Sequence, residues 1–454
     1  MPHENWGPSV RAFRVSAGKL DSLLPAIAPT FATPEATDYT PHVSLLKTGG
    51  TIATTMDQTE QPVAAVQDVT QAFQTASVMS VAGAHMMHDM FTSFIAPLLP
   101  VFIASLALSK TQAGMLVFFL QGPSLLQPLL GQLVDRFSLR PLVYFGPGLA
   151  AVGMSLLGIA PSYTVLAVML VLIGTNSAAF HSVGSVMAGT LSGRRLGRGS
   201  GVWMFGAELG RTIGPVLVVT AVQMWTARGV PRLMVIGLLG SVVLYWRLHD
   251  VPFRPLHTAG QSLPWREAVR GMGSVLLPIV GIVTARALLN SALTTYLPTF
   301  LQEQGADLWL AGASLSMFEA AGTLGALSGG ALSDWLGRRP TVAAAMAACT
   351  PLMAWFLLSN GWSRLLSLLA LGFFQLSTLG VLMALVQESF PQNRALANGI
   401  YLASYFVANS VMAVVVGRLG DLFGLRSAFT IAAAAPLLGA AMVWLLPKAA
   451  AKTA

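Results

Sequence analysis

Charge is what this sequence lacks most. Only 10% of its 454 residues are charged and 54% are hydrophobic, whereas soluble domains carry about 25% charged residues. With a mean hydropathy of +0.67, an ordinary soluble globular protein is excluded and a polytopic membrane protein remains. Lysine is scarcer still: 21 of the 26 basic residues are Arg. The net charge of +8 makes no case for nucleic-acid binding, because basic residues in membrane chains chiefly set orientation in the bilayer. Cysteine occurs once, as Cys349 in an apolar run, so no intramolecular disulfide can form and the residue reads as a small core side chain. No phosphate-binding glycine loop and no cofactor-binding pattern occurs, so an ATP-driven pump is unsupported. No nucleophile–base spacing supports a membrane-embedded enzyme, and no extramembrane domain supports a sensor. No spacing of histidines predicts a metal site.

Long apolar runs are what the chain does have. Residues 1–76 are different: up to residue 75 they hold seven acids and four bases with no sustained apolar stretch. This predicts a disordered N-terminal extension, or a start at Met56 with the upstream residues not translated. From residue 77 onward, apolar segments of about the 20 residues needed to span a bilayer follow one another. They fall near 78–103, 112–134, 141–159, 163–190, 199–224, 230–248, 275–301, 309–332, 340–359, 364–388, 396–417 and 427–446. Their continuity favours helices over alternating barrel strands. The fold class expected is therefore all-α, with twelve transmembrane helices in two six-helix halves, 77–248 and 275–447. A polar linker at 249–274 joins the halves, and a short tail, 448–454, follows. With the N-terminus cytoplasmic, fourteen basic residues fall inside and six outside, which favours both termini on the cytoplasmic side.

Two loops repeat. "GQLVDRFSLRP" begins at Gly131 and "GALSDWLGRRP" at Gly330, so Gly131 and Gly330, Asp135 and Asp334, and Arg140 and Arg339 match at one offset of 199 residues. Arg136 and Arg338 add further positive charge. A weaker echo, "GRLGDLFGLR", runs from Gly417 to Arg426. Glycine permits close helix approach, and the aspartate can meet a helix N-terminus or a basic residue. These residues are candidates for conformational latches. The paired motif resembles the loop signature of the major facilitator superfamily, which implies a monomeric transporter with two halves in parallel repeat. Ser138 departs from it where glycine is usual.

The fifth segment carries Gly206, Gly210 and Gly214 at spacings of four, followed by Pro215. This packing motif resembles the fifth-helix signature of drug/proton antiporters. "HMMHDMF" from His85, "SLLQPLLGQLVDRF" from Ser124 and "IGTNSAAFHSVGSVMA" from Ile173 resemble segments of the fosmidomycin-resistance exporters. The resemblance covers about residues 78–447 and is strongest in the first half. Ser182, Glu208 and Arg211 depart from it. It implies proton-coupled efflux of a small anionic or amphiphilic compound from the bacterial inner membrane, with a small-molecule substrate, protons and the lipid bilayer as partners. Uptake of an organic anion remains the alternative.

Ionisable residues inside the bilayer are expensive and mark pathways or partners. His85 and Asp89, four apart on one helix face, are candidates for proton coupling because histidine titrates near neutral pH; Glu319 is a third. The other reading of Asp89 is a polar cluster tying helices together, which is also the role expected of His88. Glu208 and Arg211, three apart, either form a local ion pair or line the cavity. Arg286 has no acid within a turn, so its partner is a distant acid or an anionic substrate. A phosphonate, as the family resemblance implies, suits its guanidinium. Asn176, His181 and Asn290 complete the cavity candidates.

Overall fold

The computed structural model describes residues 72–127, 130, 139–251, 265–390 and 394–446, without the side chains of 265–271 and 394–396. The N-terminal extension with Met56, loop residues Gly131, Asp135 and Arg136, linker residues 252–264 and the tail from 447 lie outside the described residues. Every regular element described is helical: α1 (Thr75–Thr92), α2 (Ile95–Leu106), α3 (Lys110–Gln121), α4 (Pro141–Leu156), α5 (Tyr163–Leu191), α6 (Leu196–Trp225) and α7 (Met234–Leu248) form the first half. The second half comprises α8 (Trp265–Glu303), α9 (Leu308–Leu336), α10 (Arg338–Leu358), α11 (Gly361–Ser389), α12 (Arg394–Phe423) and α13 (Leu425–Met442). Eleven spans among the described residues are long and apolar enough to cross a membrane. The second expected segment is described only in part, as α3 and a short 3-10 turn at Gly122–Leu126. Helix α8 begins at Trp265, inside the stretch expected as linker, and its apolar span begins at Met272; a helix satisfies its own backbone and can extend beyond the apolar layer.

The first span is broken, α1 continuing as α2. Pro97 has no N–H to return to the Ser93 carbonyl, and the Ser93 amide closes α1 on Asp89 O at 3.1 Å. Outward faces carry Leu324, Leu327 and Leu358, all well exposed, while Asp89, Glu208, Arg286 and Glu319 are buried. Apolar surface outside and charge inside suits a lipid solvent.

Glycines set the closest helix approaches. A β-carbon at Gly206, Gly210 or Gly214 of α6 would collide with the carbonyl oxygens of Ala82, Met86 and Met90 on α1. Pro215 follows them, buried within an unbroken α6. In the second half Gly325 and Gly329 of α9 meet α11 carbonyls in the same way. Gly330, expected to mediate such an approach, has nothing within 4 Å of a β-carbon position; Gly329 makes the contact instead, against Ser377 O. One residue along a helix turns the side-chain direction by about 100°, so only one of the pair can face the neighbour. Gly337, at φ +93, joins α9 to α10, a conformation that requires glycine. Around it Arg338 pairs with Asp334 at 2.6 Å and Glu388 at 2.8 Å. Arg140 donates to Val251 O at 2.7 Å, whereas Arg339 has Nε and Nη2 without partners.

The halves meet where α6 packs on α9, α3 on α12 and α2 on α8. At the Lys110 end the echo motif is at work. Gly417 of α12 lets the backbone of α3 approach at Lys110 O. One turn on, Asp421 accepts from the Lys110 and Thr111 amides at 2.8 and 2.9 Å. A carboxylate from one half thus caps a helix N-terminus of the other. Lys110 Nζ reaches Glu303 at 3.0 Å, and the Tyr296 hydroxyl donates to Lys110 O at 2.8 Å. Asp421→Ala removes a cap worth about 0.5–2 kcal/mol, a population shift of roughly twofold to thirtyfold. A cysteine at the buried Ala413 beneath it, in a Cys349→Ser background, is expected to react with a membrane-impermeant maleimide faster by that factor. An unchanged rate would remove Asp421 from control of this face.

Candidate functional site

The ionisable residues of α1 meet partners from two other helices of the first half. His85 Nδ1 donates to Trp203 O of α6 at 2.9 Å, and its ring stacks on the Trp203 indole at 3.8 Å. Gly184 of α5 makes room for that indole, since a β-carbon there would strike its outer edge. His181 Nδ1 donates to Ser177 O, one turn earlier in α5, at 2.8 Å. A carbonyl only accepts, so both histidines carry their Nδ1 proton. Their Nε2 atoms face each other at 3.1 Å, and the Asp89 carboxylate lies 3.7 Å from His85 Nε2 and 3.6 Å from His181 Nε2.

Asp89 is buried and shared. His88 Nδ1 donates to Oδ1 at 3.0 Å, and Arg211 Nη1 donates to Oδ2 at 3.1 Å. His88, expected as a bystander that ties helices, thus bonds Asp89 directly while its ring stacks on Phe180 at 4.4 Å. Arg211 also pairs with Glu208 on its own helix, and its Nε lies 3.9 Å from Glu319 on α9. Three carboxylates therefore surround one guanidinium, and the third belongs to the opposite half. The two readings of Glu208 and Arg211 describe one arrangement: the local pair forms, and the same guanidinium reaches across the interface.

Three other candidates sit elsewhere. Asn176 turns away from His181, its Nδ2 donating to Gly146 O of α4 at 2.9 Å; five residues separate it from His181, and the helix carries it to another face. Asn290 bonds Asn409 of α12 at 2.7 Å. Arg286 of α8 is buried in the second half, where Nη2 and Nε reach Gln375 O at 2.8 and 3.2 Å and Nε reaches Thr378 Oγ1 at 2.9 Å. Its expected acid partners are absent: no ion pair within 4.0 Å forms among the described residues. Trp203 and Tyr405, whose ring lies 5.7 Å from the Arg286 guanidinium, carry no sequence signal that separates them from ordinary core aromatics.

Spacing predicted no metal site, yet the fold gathers His85, His181 and Asp89 with ligand atoms within 4.8 Å of one another. A metal cation there would sit close to the Arg211 guanidinium, 3.1 Å from Asp89. Like-charge repulsion in a low-dielectric interior disfavours that cation.

Comparison with known proteins follows the same lines. The profile of the Major Facilitator Superfamily matches residues 81–393. The Fosmidomycin resistance protein of Escherichia coli K12 is 26% identical over 401 residues, covering 86% of this chain and 98% of the relative. The uncharacterized MFS-type transporter YfnC of Bacillus subtilis is 26% identical over 375 residues, covering 80% and 90%. Among solved structures, a bacterial homolog of the human lysosomal transporter Spinster, inward-facing and occupied, superposes with a TM-score of 0.69 at 12% identity, covering 82% of this chain and 96% of that one. A point mutant of the nucleoside transporter NupG gives 0.67 at 13% identity, covering 82% and 100%. The all-helical architecture with eleven spans among the described residues, the repeated loop motif and the profile match together identify this multi-pass membrane protein as a transporter that belongs to the Major Facilitator Superfamily.

Proposed function

We propose that the chain exports a small anionic or amphiphilic compound in exchange for protons, by alternating access of its two halves. The observation that carries the proton part is the pair of facing imidazoles. With both Nδ1 protons committed to backbone carbonyls, two neutral rings aim two lone pairs at each other across 3.1 Å. One proton between them turns repulsion into a hydrogen bond, and Asp89 balances its charge.

Coupling to conformation follows from Arg211. Its guanidinium touches Asp89 and Glu208 of one half and approaches Glu319 of the other. A proton held by the two imidazoles competes with Arg211 for Asp89 and strengthens the relative pull of Glu319, so proton occupancy biases how the halves meet. A ligand or proton shifts such an equilibrium only through its differential affinity for the two states, and this shared cation supplies one. Export rather than uptake is favoured by the name of the resistance protein, whose match covers 86% of this chain and 98% of its own length. The excess of basic residues in loops on one face supports both termini on the cytoplasmic side of a bacterial inner membrane.

The test is reconstitution in proteoliposomes with a trapped pH-sensitive dye and a panel of phosphonates, cationic drugs and organic acids. At least one solute is expected to collapse a preset proton gradient. His181→Gln is expected to abolish that response while counterflow of labelled solute persists. Counterflow without proton movement for every solute would remove the proton part of the reading.

A further inference from the structure

We infer that the second half holds, at its Lys110 end, a site for the phosphate headgroup of an anionic phospholipid, with Arg364 and Arg426 as its cations. The ligand is a component of the bilayer and not the cargo, so nothing here depends on the direction of transport. Both arginines gather at the end of α10. Arg364 Nε donates to Ser359 O at 2.8 Å and its Nη2 to Asn360 Oδ1 at 3.0 Å. From α13, Arg426 Nη2 donates to Leu357 O at 2.8 Å. Their carbonyl acceptors are two residues apart, and the two guanidiniums are close enough to repel each other.

Bonding the last carbonyls of a helix is an ordinary use of arginine, but it answers only part of this charge. A helix C-terminus carries about half a negative charge, against two positive ones. Neither arginine has a carboxylate within 4.0 Å among the described residues. The acids at this end are engaged elsewhere: Glu303 pairs with Lys110, Asp307 caps α9 and Asp421 caps α3. Each guanidinium has five donors, and the bonds above leave Nη1 of both side chains for another acceptor.

The surroundings select a lipid over a free anion. Leu358 is 80% exposed and Trp362 82%, one on either side of the turn at Ser359. Tryptophan is enriched where a membrane protein meets the headgroup layer, and basic residues there attract anionic lipids. Arg364 also lines a cavity of about 220 Å³ between the start of α11 and the turn from α8 to α9, with Leu301, Ala306, Leu310 and Trp362. That is smaller than the roughly 300–1,000 Å³ of a small-molecule pocket, and its walls are mostly apolar. A free phosphate would gain nothing from such walls. A phospholipid can set its phosphate on the guanidiniums, which suit that group, and lay its glycerol and first methylenes against Trp362 and Leu358. All of these residues belong to the second half, so a lipid held here braces α10, α11 and α13 without touching the proton cluster.

Thermal denaturation of the purified full chain tests this in detergent micelles doped with phosphatidylglycerol or with phosphatidylcholine of the same acyl chains, beside inorganic phosphate without lipid. A ligand that binds only the folded state raises the unfolding temperature. Phosphatidylglycerol is expected to raise it, phosphatidylcholine to raise it less, and inorganic phosphate to leave it unchanged. Arg364→Gln and Arg426→Gln are each expected to raise by about fivefold the phosphatidylglycerol fraction needed for an equal shift, and the double variant by about twenty-five-fold. Arg232→Gln, whose guanidinium lies 5.3 Å from the Trp225 ring in the first half, controls for general surface charge and should not change that fraction. If Arg364→Gln does not fold, Trp362→Cys in a Cys349→Ser background decides, because phosphatidylglycerol should slow its labelling by a maleimide more than phosphatidylcholine does. Equal effects of the two lipids, an equal shift by inorganic phosphate, a folded double variant that responds like the native protein, as large a loss in Arg232→Gln, or equal labelling at position 362 would overturn the assignment.

Discussion

Asp89→Asn is expected to abolish solute accumulation driven by a pH gradient while leaving the protein folded. One pH unit is worth about 1.4 kcal/mol per proton, so exchange of one proton per turn sustains up to about a tenfold solute gradient. In the variant that ratio should fall to about one at any imposed gradient, because an amide cannot balance the charge of a proton held between His85 and His181. Counterflow, which needs no proton, should continue. The fold should survive because Arg211 keeps Glu208 as a counter-ion and an amide oxygen still accepts from His88. The measurement is labelled-solute accumulation in proteoliposomes across a series of pH gradients, beside counterflow in the same vesicles. Accumulation that still follows the gradient would remove Asp89 from coupling and leave it as a tie between α1 and α6.

Gly210→Val is expected to damage the fold itself. A β-carbon at Gly210 would strike Met86 O and stand 2.8 Å from Met90 N, both backbone atoms of α1. A side chain can rotate away from a clash, whereas two helix backbones must separate along their length. Overpacking costs about 1–3 kcal/mol in well-packed interiors, and rigid backbone puts this site at the upper end. At roughly 2–4 °C per kcal/mol, about 3 kcal/mol lowers the unfolding temperature by about 6–12 °C. Gly201→Ala, earlier on the same helix with nothing within 4 Å, should change it by about 1 °C or less and serves as the control. Equal effects at the two positions would mean that helix propensity, rather than the α1–α6 contact, explains the glycines. Because α1 carries Asp89 and α6 carries Arg211, an intermediate substitution such as Gly210→Ala should also disturb coupling.

Much of this was legible in the sequence, at the scale where physics is local. Scarce charge and long apolar runs specify a membrane chain of many spans, because the bilayer demands apolar length. Register of the repeated glycine, aspartate and arginine specifies two halves. Helical period makes the stripe of Gly206, Gly210 and Gly214 readable, and it puts His85 and Asp89 on one face. The echo from Gly417 could be read as a third copy. Its task, capping α3 across the interface through Asp421, could not.

Tertiary structure decided which faces meet. His181 reaches His85 from 96 residues away, and Arg211 reaches Asp89 from 122 residues away, distances over which periodicity carries no information. It turned Asn176 toward α4, gave the close approach to Gly329 rather than Gly330, and bonded His88 to the carboxylate that spacing assigned to His85 alone. The tautomers of the two histidines follow from carbonyls that only packing brings within reach. Sequence by itself determined the membrane fold and the pool of ionisable residues, since both depend on composition and helical period. Only packing decided their partners, because the free energy of a buried charge depends on what lies within a few ångströms of it, on whichever helix that happens to be.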